Sequence, residues 1–394
     1  MTDKFISLRY SSTASRDLRI DFLRGVAMVI MIITHIEILS IFNLFTWERF
    51  GLVSGAEGFV ILSGFVLGQV NNQKMATEAP LTCYYRLWRR AGTLYLVNLF
   101  IIISVLLLAH INLFNSSEIT HFTDRLSGQQ YSLYPALPES LENWFNLIIY
   151  LQIGPHQSQI LGLYVLLLII TPMIITLLLK KKTPLILLIS WSVYIFYQIN
   201  PTTLTNAEFE RAFPIMAWQL IYVHGLVAGW HKHTLHYFAG SPLGKAIIAG
   251  CIIGALMMLV IAQSMTNPFI PNTFKLPLLT IEQFNLLYFG FAQKNMLGPL
   301  RVFNDLCILV SMYVLLTYLW KPIYVLIGWL LVPLGQYSLY IFILHVYIVW
   351  IISQFTHFGF SNPQWLLNTL VHASALLVLW WMATRKIGAR FIPN

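Results

Sequence analysis

Ten long apolar runs, with almost nothing charged inside them, decide what this chain can become. They fall at about 21–42, 51–70, 92–113, 159–179, 183–199, 213–230, 243–263, 301–320, 333–352 and 366–383. A helix needs about 20 such residues to cross a bilayer core of about 30 Å. Charged residues make up 10% of the 394 and hydrophobic ones 57%, where soluble domains carry about 25% charged residues. These charges are too few to cover a water-facing surface. Lipid must be the solvent, so the backbone has to close its hydrogen bonds within helices. The expected fold class is all-α: a polytopic membrane bundle of about ten transmembrane helices. It forms one domain over 1–394, with a short polar and basic segment at 1–19. That segment lacks the apolar run and cleavage pattern of a signal peptide. Shorter apolar stretches near 143–153 and 322–331 read as interfacial or re-entrant. The outer segments at about 114–158 and 264–300 do not look like independent domains.

The formal net charge is +9, and topology accounts for it without nucleic acid. With the N-terminus inside, only Arg49, Arg125, Arg211, Lys275, Lys294 and Arg301 of the 24 Lys and Arg fall outside. The other eighteen, from Lys4 to Arg390, fall inside. This is the positive-inside pattern, and it predicts that both termini are cytoplasmic. Three cysteines, Cys83, Cys251 and Cys307, imply no disulfide framework.

Ionisable residues within a span are expensive, and each is a candidate for function. The candidates are His35 and Glu37 in the first run, Glu57 in the second, Asn304 and Asp305 in the eighth, and His345 in the ninth. His35 lies 14 residues past Asp21, about 21 Å at helical rise. Glu57, entering from the other side, reaches about 9 Å. The two therefore meet at nearly one level, which predicts a buried pair in which the carboxylate orients the imidazole. The plainer reading of each is a helix–helix hydrogen bond. Gly51, Gly55, Gly58, Gly64 and Gly68 read as close-packing positions rather than a ligand loop. Arg301, Asn304 and Asp305 share one helix face, which suits either an outer cavity or an intrahelical salt bridge.

Arg16, Arg19, Arg24, Arg86, Arg89 and Arg90 flank the inner ends of the first three spans. Such residues serve anionic lipid or form a phosphate-binding mouth. Asp21 complements the first helix dipole or pairs with a neighbouring arginine. His231, Lys232 and His233 suit a solvated loop, and no metal-ligand set accompanies them. Asn115-Ser116-Ser117 fits a glycosylation acceptor, and no glycine-rich nucleotide fingerprint is present.

Arg16-Asp17-Leu18-Arg19-Ile20-Asp21-Phe22-Leu23-Arg24-Gly25 followed by His35 resembles the opening of the OpgC-type glucan succinyltransferases, relatives of the membrane acyltransferase 3 superfamily. The resemblance continues through Ala56-Glu57-Gly58-Phe59, Arg86-Leu87-Trp88-Arg89-Arg90, Ala217-Trp218-Gln219, Gly298-Pro299-Leu300-Arg301 and Leu334-Gly335-Gln336-Tyr337-Ser338, with His345 beyond. It departs at Thr34, at Ser54-Gly55 and at Asn98, where the family pattern has acidic residues or a histidine.

The resemblance implies transfer of a succinyl or acetyl group from cytoplasmic acyl-CoA (succinyl-CoA or acetyl-CoA) to a glycan hydroxyl outside the bacterial inner membrane, with no metal. It makes His35 the leading catalytic residue, as general base or transient acyl carrier, with Glu57 beside it. Arg24, Arg86, Arg89 and Arg90 would hold the CoA phosphates. Arg301, Asp305, His345, Trp218 and Gln219 would face substrate, Arg301 suiting a succinyl carboxylate. Arg16, Arg19 and Asp21 belong to the motif framework. The implied partners are membrane lipid and an outer-side glycan, with homo-oligomerisation left open. Two other classes fit the same residues: a proton-coupled transporter or flippase, and a non-catalytic membrane subunit of a polysaccharide-export complex.

Overall fold

The computed structural model describes residues 8–11, 16–46, 48–111, 114–123, 129–135, 140–264, 278–355 and 364–387. Its long helices are α1 (Leu18–His35), α2 (Gly55–Met75), α3 (Pro80–His110), α4 (Ile160–Leu179), α5 (Thr183–Ile199), α6 (Ile215–Trp230), α7 (Pro242–Ala262), α8 (Pro299–Tyr318), α9 (Trp320–Gln336), α10 (Ser338–Ser353) and α11 (Trp365–Arg385). Among the described residues, five helices are long and apolar enough to cross a membrane. The number is six if α9 and α10, bent by 92° at their junction, form one span. The fold is a helical, multi-pass membrane bundle with one small exception to the all-α expectation. Strands β1 (His121–Thr123) and β2 (Gln130–Ser132) form an antiparallel hairpin, with His121 opposite Ser132. Lys4, Arg125, Lys275 and Arg390 of the charge asymmetry lie outside the described residues.

Several boundaries differ from the sequence reading. The first apolar run extends to 42, but α1 stops at His35, and a short 3-10 turn follows at Ile41–Leu44. The third run begins at 92, but α3 starts at Pro80, because arginines do not interrupt a helix whose N1 position holds a proline. Arg86, Arg89 and Arg90 therefore stand on a helix rather than in a loop. The ninth run, 333–352, contains a corner: α9 ends at Gln336 and α10 begins at Ser338. The stretch near 322–331 lies inside α9. The stretch near 143–153 forms a nine-residue helix, Leu141–Ile149, about 14 Å long and too short to cross.

Glycine sets the closest contacts. Gly64 and Gly68 of α2 face Gly225 and Gly229 of α6. A Cβ on any of the four would collide with backbone of the other helix: Gly64 with Tyr222, Gly68 with Leu226, Gly225 with Ile61 and Gly229 with Phe65. Two small-xxx-small pairs thus interlock, letting the backbones approach and gain the dispersion contact that drives helix association in lipid. Gly25 of α1 and Gly335 of α9 do the same: their Cβ positions coincide with the Leu331 and Asp21 carbonyl groups. Of the second-run glycines, Gly55, Gly64 and Gly68 are close-packing positions, whereas Gly51 lies before α2 with φ +141°.

Candidate functional site

The site is organised along α1, which carries Arg24 near one end and His35 at the other. Eleven residues separate them, about 17 Å along the axis. α10 lies beside α1 and touches it at both places. Arg24 Nη2 donates to Ser338 Oγ at 2.5 Å, and His35 Nδ1 lies 2.8 Å from His345 Nε2. The two imidazoles are stacked, with centroids 5.0 Å apart. His156 packs edge-on against His35 at 5.6 Å.

The hydrogen bonds fix the protons of the pair. His345 Nδ1 bonds the Phe342 carbonyl oxygen, which can only accept, so the Nδ1 of His345 carries its proton. In the neutral ring its Nε2 is then an acceptor, and His35 must donate through Nδ1. The basic lone pair of His35 is therefore on Nε2. His345 is fully buried, whereas His35 is half-buried. A second group thus orients the His35 imidazole, and that group is His345 rather than Glu57.

Glu57 serves another cluster. Its Oε1 accepts from Arg301 Nε at 2.6 Å, and its Oε2 accepts from the backbone N–H of Ser54 at 2.9 Å and from the Ser54 hydroxyl. Ser54 and Glu57 form the capping box that starts α2. Gly55 packs on Ala27 and Met31, and Gly58 on Ala27. Glu57 thus stands near the level of Met28, roughly 10 Å along α1 from His35. The depth matching assumed that the second helix starts at the outer surface, whereas α2 begins at the level of Ala27 and Met31, already below the end of α1, and this carries Glu57 past His35.

Arg301 is fully buried. Besides Glu57 it bonds Glu48, and its Nη1 donates to the Ala292 carbonyl at 3.1 Å. Its guanidinium is thus engaged by two carboxylates and a carbonyl. It does not form the intrahelical salt bridge with Asp305. Asp305 is buried, and neither its Oδ2 nor the Asn304 amide has a hydrogen-bond partner.

Two other substrate-facing candidates, Trp218 and Gln219, are buried among neighbouring side chains. Trp218 is fully buried against Phe213, centroids 4.8 Å apart. Gln219 spends its amide on α5: its oxygen accepts from Ser190 Oγ at 2.7 Å and its nitrogen donates to the Ser190 carbonyl at 2.9 Å.

At the arginine end the six residues divide. Arg16 holds Asp21 through two bonds of 2.6 and 2.7 Å. Arg19 is bound by Asp17 and Thr317 and lies over the Tyr10 and Tyr313 rings. Burial alone would raise the Asp17 carboxyl, but Arg19 and Lys232 hold it below the usual carboxylate range. Arg86 is taken by Glu78. Arg89 is exposed. Arg24, Arg16 and Arg90 are close enough for their charges to oppose one another, with Tyr164 beside them. Arg24 bonds Ser338 at the corner where α10 begins, so a helix N-terminus adds its partial positive charge there.

Sequence reasoning missed His156, Glu48, Ser338 and His372. His372 carried the same signal as His345, an imidazole inside an apolar run. The others are contributed by loops or by the α9–α10 corner and carried no spacing signal.

The fold and site define a polytopic helical membrane protein with a histidine pair at one end of a helix and an arginine-lined mouth toward the other. A family profile described as OpgC protein matches residues 16–387, and the chain belongs to the OpgC family. No curated protein matches it.

Proposed function

We propose that this chain is a membrane-embedded O-acyltransferase that succinylates a glucan. In this reading ten helical spans, α9–α10 forming one bent span, place both termini in the cytoplasm of a bacterial inner membrane. The arginine end then faces inward and the histidine end outward. The family supports glucan as acceptor and succinyl-CoA as donor. Membrane lipid and the outer-side glycan are its partners.

The observation that carries the reading is the fixed tautomer of His35, held about 17 Å along one helix from the arginine mouth. Arg24, Arg90 and Arg16, with the N-terminus of α10, bind the CoA phosphates. The pantetheine arm brings the thioester to His35. There Nε2 removes the proton from the acceptor hydroxyl as its oxygen attacks the thioester carbonyl. The C–S bond breaks, and the departing thiolate takes the proton from the imidazolium. If Nε2 instead accepts the acyl group first, the same lone pair is used and an acyl-histidine precedes the glycan step.

The purified protein with succinyl-CoA and a glucan should release free thiol and form a succinyl ester, and His35→Ala should abolish both. Equal release by wild type and His35→Ala, or none with any short acyl-CoA, would refute the reading in favour of transport. An isolated succinylated His35 would select the carrier route, and strict ternary-complex kinetics the base route.

A further inference from the structure

Apolar composition alone would carry α1 past His35. Ile36, Ile38, Leu39 and Ile41 continue the apolar run, with neither glycine nor proline among residues 36–46. Locally the Ile38 N–H donates to the Ile36 carbonyl at 2.8 Å and Ser40 with Asn43 forms a capping box, and the further partners that hold this end come from α11, more than 300 residues away. His372 Nε2 lies 3.1 Å from the Ile36 carbonyl. That oxygen can only accept, so Nε2 carries the proton and Nδ1 is the acceptor. His372 Nδ1 then accepts from the Ser40 hydroxyl at 2.7 Å. One turn away, Asn368 Nδ2 donates to the Leu39 carbonyl at 2.7 Å, and Thr369 Oγ1 accepts from the Ile41 N–H at 3.1 Å. Ser40 N–H donates to Asn43 Oδ1 at 2.7 Å, closing the turn. His372, Ser40 and Asn43 are fully buried.

Backbone groups at 36, 39 and 41 that a longer helix would pair internally are therefore taken by one face of α11. The Ile36 and Leu39 carbonyls belong to buried residues and must find partners, so this face, together with the Ile38 N–H and the Ser40–Asn43 cap, fixes where α1 ends. Its end falls at His35. The imidazole consequently sits at the negative end of the α1 dipole, which favours the imidazolium formed when Nε2 takes a proton.

We propose that His372, with Asn368 and Thr369, are positioning residues for His35: by ending α1 they set both the place and the basicity of its Nε2. The proposal rests on the reading of His35 as the reacting group. The test compares His372→Leu, which loses both hydrogen bonds, His372→Gln, which keeps a donor and an acceptor, and Thr369→Val, which loses only the Ile41 contact. Two readouts are taken on protein verified as folded by its thermal transition. One is kcat and KM for succinyl-CoA. The other is the rate at which diethyl pyrocarbonate modifies His35, followed on its peptide without any acyl donor.

For His372→Leu the expected loss in kcat is about 10- to 100-fold, with KM within about twofold. For His372→Gln the expected kcat is within about threefold of wild type, and for Thr369→Val the loss is about three- to tenfold. The His35 modification rate should change by at least about threefold in His372→Leu. A wild-type modification rate in folded His372→Leu overturns the proposal, as does failure of His372→Gln to restore the wild-type rate. If His372→Leu does not fold, Thr369→Val decides by the same rate. Because that readout needs no acyl transfer, a protein that transfers no acyl group but shows the shift would overturn the functional reading and leave the positioning role standing.

Discussion

Replacing Arg301 by Met would remove the guanidinium that bonds both Glu48 and Glu57, leaving Lys294 as the remaining cation acting on Glu57. Arg301 and Glu57 are both fully buried, and the Glu48 side chain is 9% exposed. A buried carboxylate that loses its partner protonates rather than remaining charged. At pH 7 each glutamate, with an ordinary pKa of about 4.3, costs about 3.7 kcal/mol to protonate at 1.36 kcal/mol per unit, so two cost about 7. At pH 5 the same arithmetic gives about 1 kcal/mol each, about 2 in all. The sign follows from linkage. In the variant the folded-state carboxyl pKa lies above the unfolded one, so the folded state binds more protons and loses stability as pH rises above about 4.3. The stability gap between wild type and Arg301→Met should therefore narrow by about 5 kcal/mol on going from pH 7 to pH 5. Thermal unfolding of detergent-purified protein at the two pH values measures it. Adding Glu48→Gln and Glu57→Gln to the variant should recover most of the loss at pH 7. A gap that is the same at both pH values, or below about 1 kcal/mol at pH 7, would refute the view that Arg301 is a structural cation.

Further outcomes follow from the histidine pair and the mouth. His345→Leu removes the acceptor that fixes the His35 tautomer and should lower kcat about 10- to 100-fold with little change in KM for succinyl-CoA; an unchanged kcat would contradict the tautomer argument. Arg24→Gln should raise KM for the donor about tenfold while leaving kcat within about threefold, as read by steady-state thiol release. Burial, together with nearby Glu37, pushes the Glu118 carboxyl up to about 7. The folded state then holds the proton more tightly, so this group's contribution to stability declines between its ordinary value, about 4.3, and neutrality. Glu118→Gln should flatten the decline in melting temperature over that window, and an unchanged slope would argue against the burial.

How much of this was legible in the sequence depended on whether the signal was local. Apolar runs marked the helices, because solvent selects composition over about 20 residues. The packing role of Gly64 and Gly68 was legible for a similar reason, since small residues four apart lie on one face. The end of α1 was not, because Asn368, Thr369 and His372 decide it from the far end of the chain. Glu57 was recognised as costly in lipid, yet its partner was assigned wrongly. The depth at which a helix starts is set by the loop before it rather than by residue spacing: α2 begins beside Ala27 and Met31, so Glu57 lies about 10 Å along α1 from His35 and meets Arg301 instead. Gln219 and Trp218 stood out through family motifs, but motif membership does not separate a substrate contact from a helix–helix contact.

The distance between mouth and base makes a demand on the donor. If its phosphates stay at Arg24, its thioester must travel about 17 Å into the bundle. Arg24, Met28, Met31 and His35 recur at spacings of four, three and four, which places them in one stripe along α1. The two residues between mouth and base are thus methionines, buried in the same core as Phe59, Tyr164 and Phe342. Methionine is unbranched and readily repacked, so this stripe can open for a pantetheine arm without moving backbone. Met28→Phe tests the path, because a stiff ring cannot fold aside. The expected result is a loss of about tenfold or more in kcat/KM for succinyl-CoA, with melting temperature lowered by no more than other modest core swaps and with His35 still open to diethyl pyrocarbonate. Full activity in Met28→Phe would mean that the thioester reaches His35 by another route.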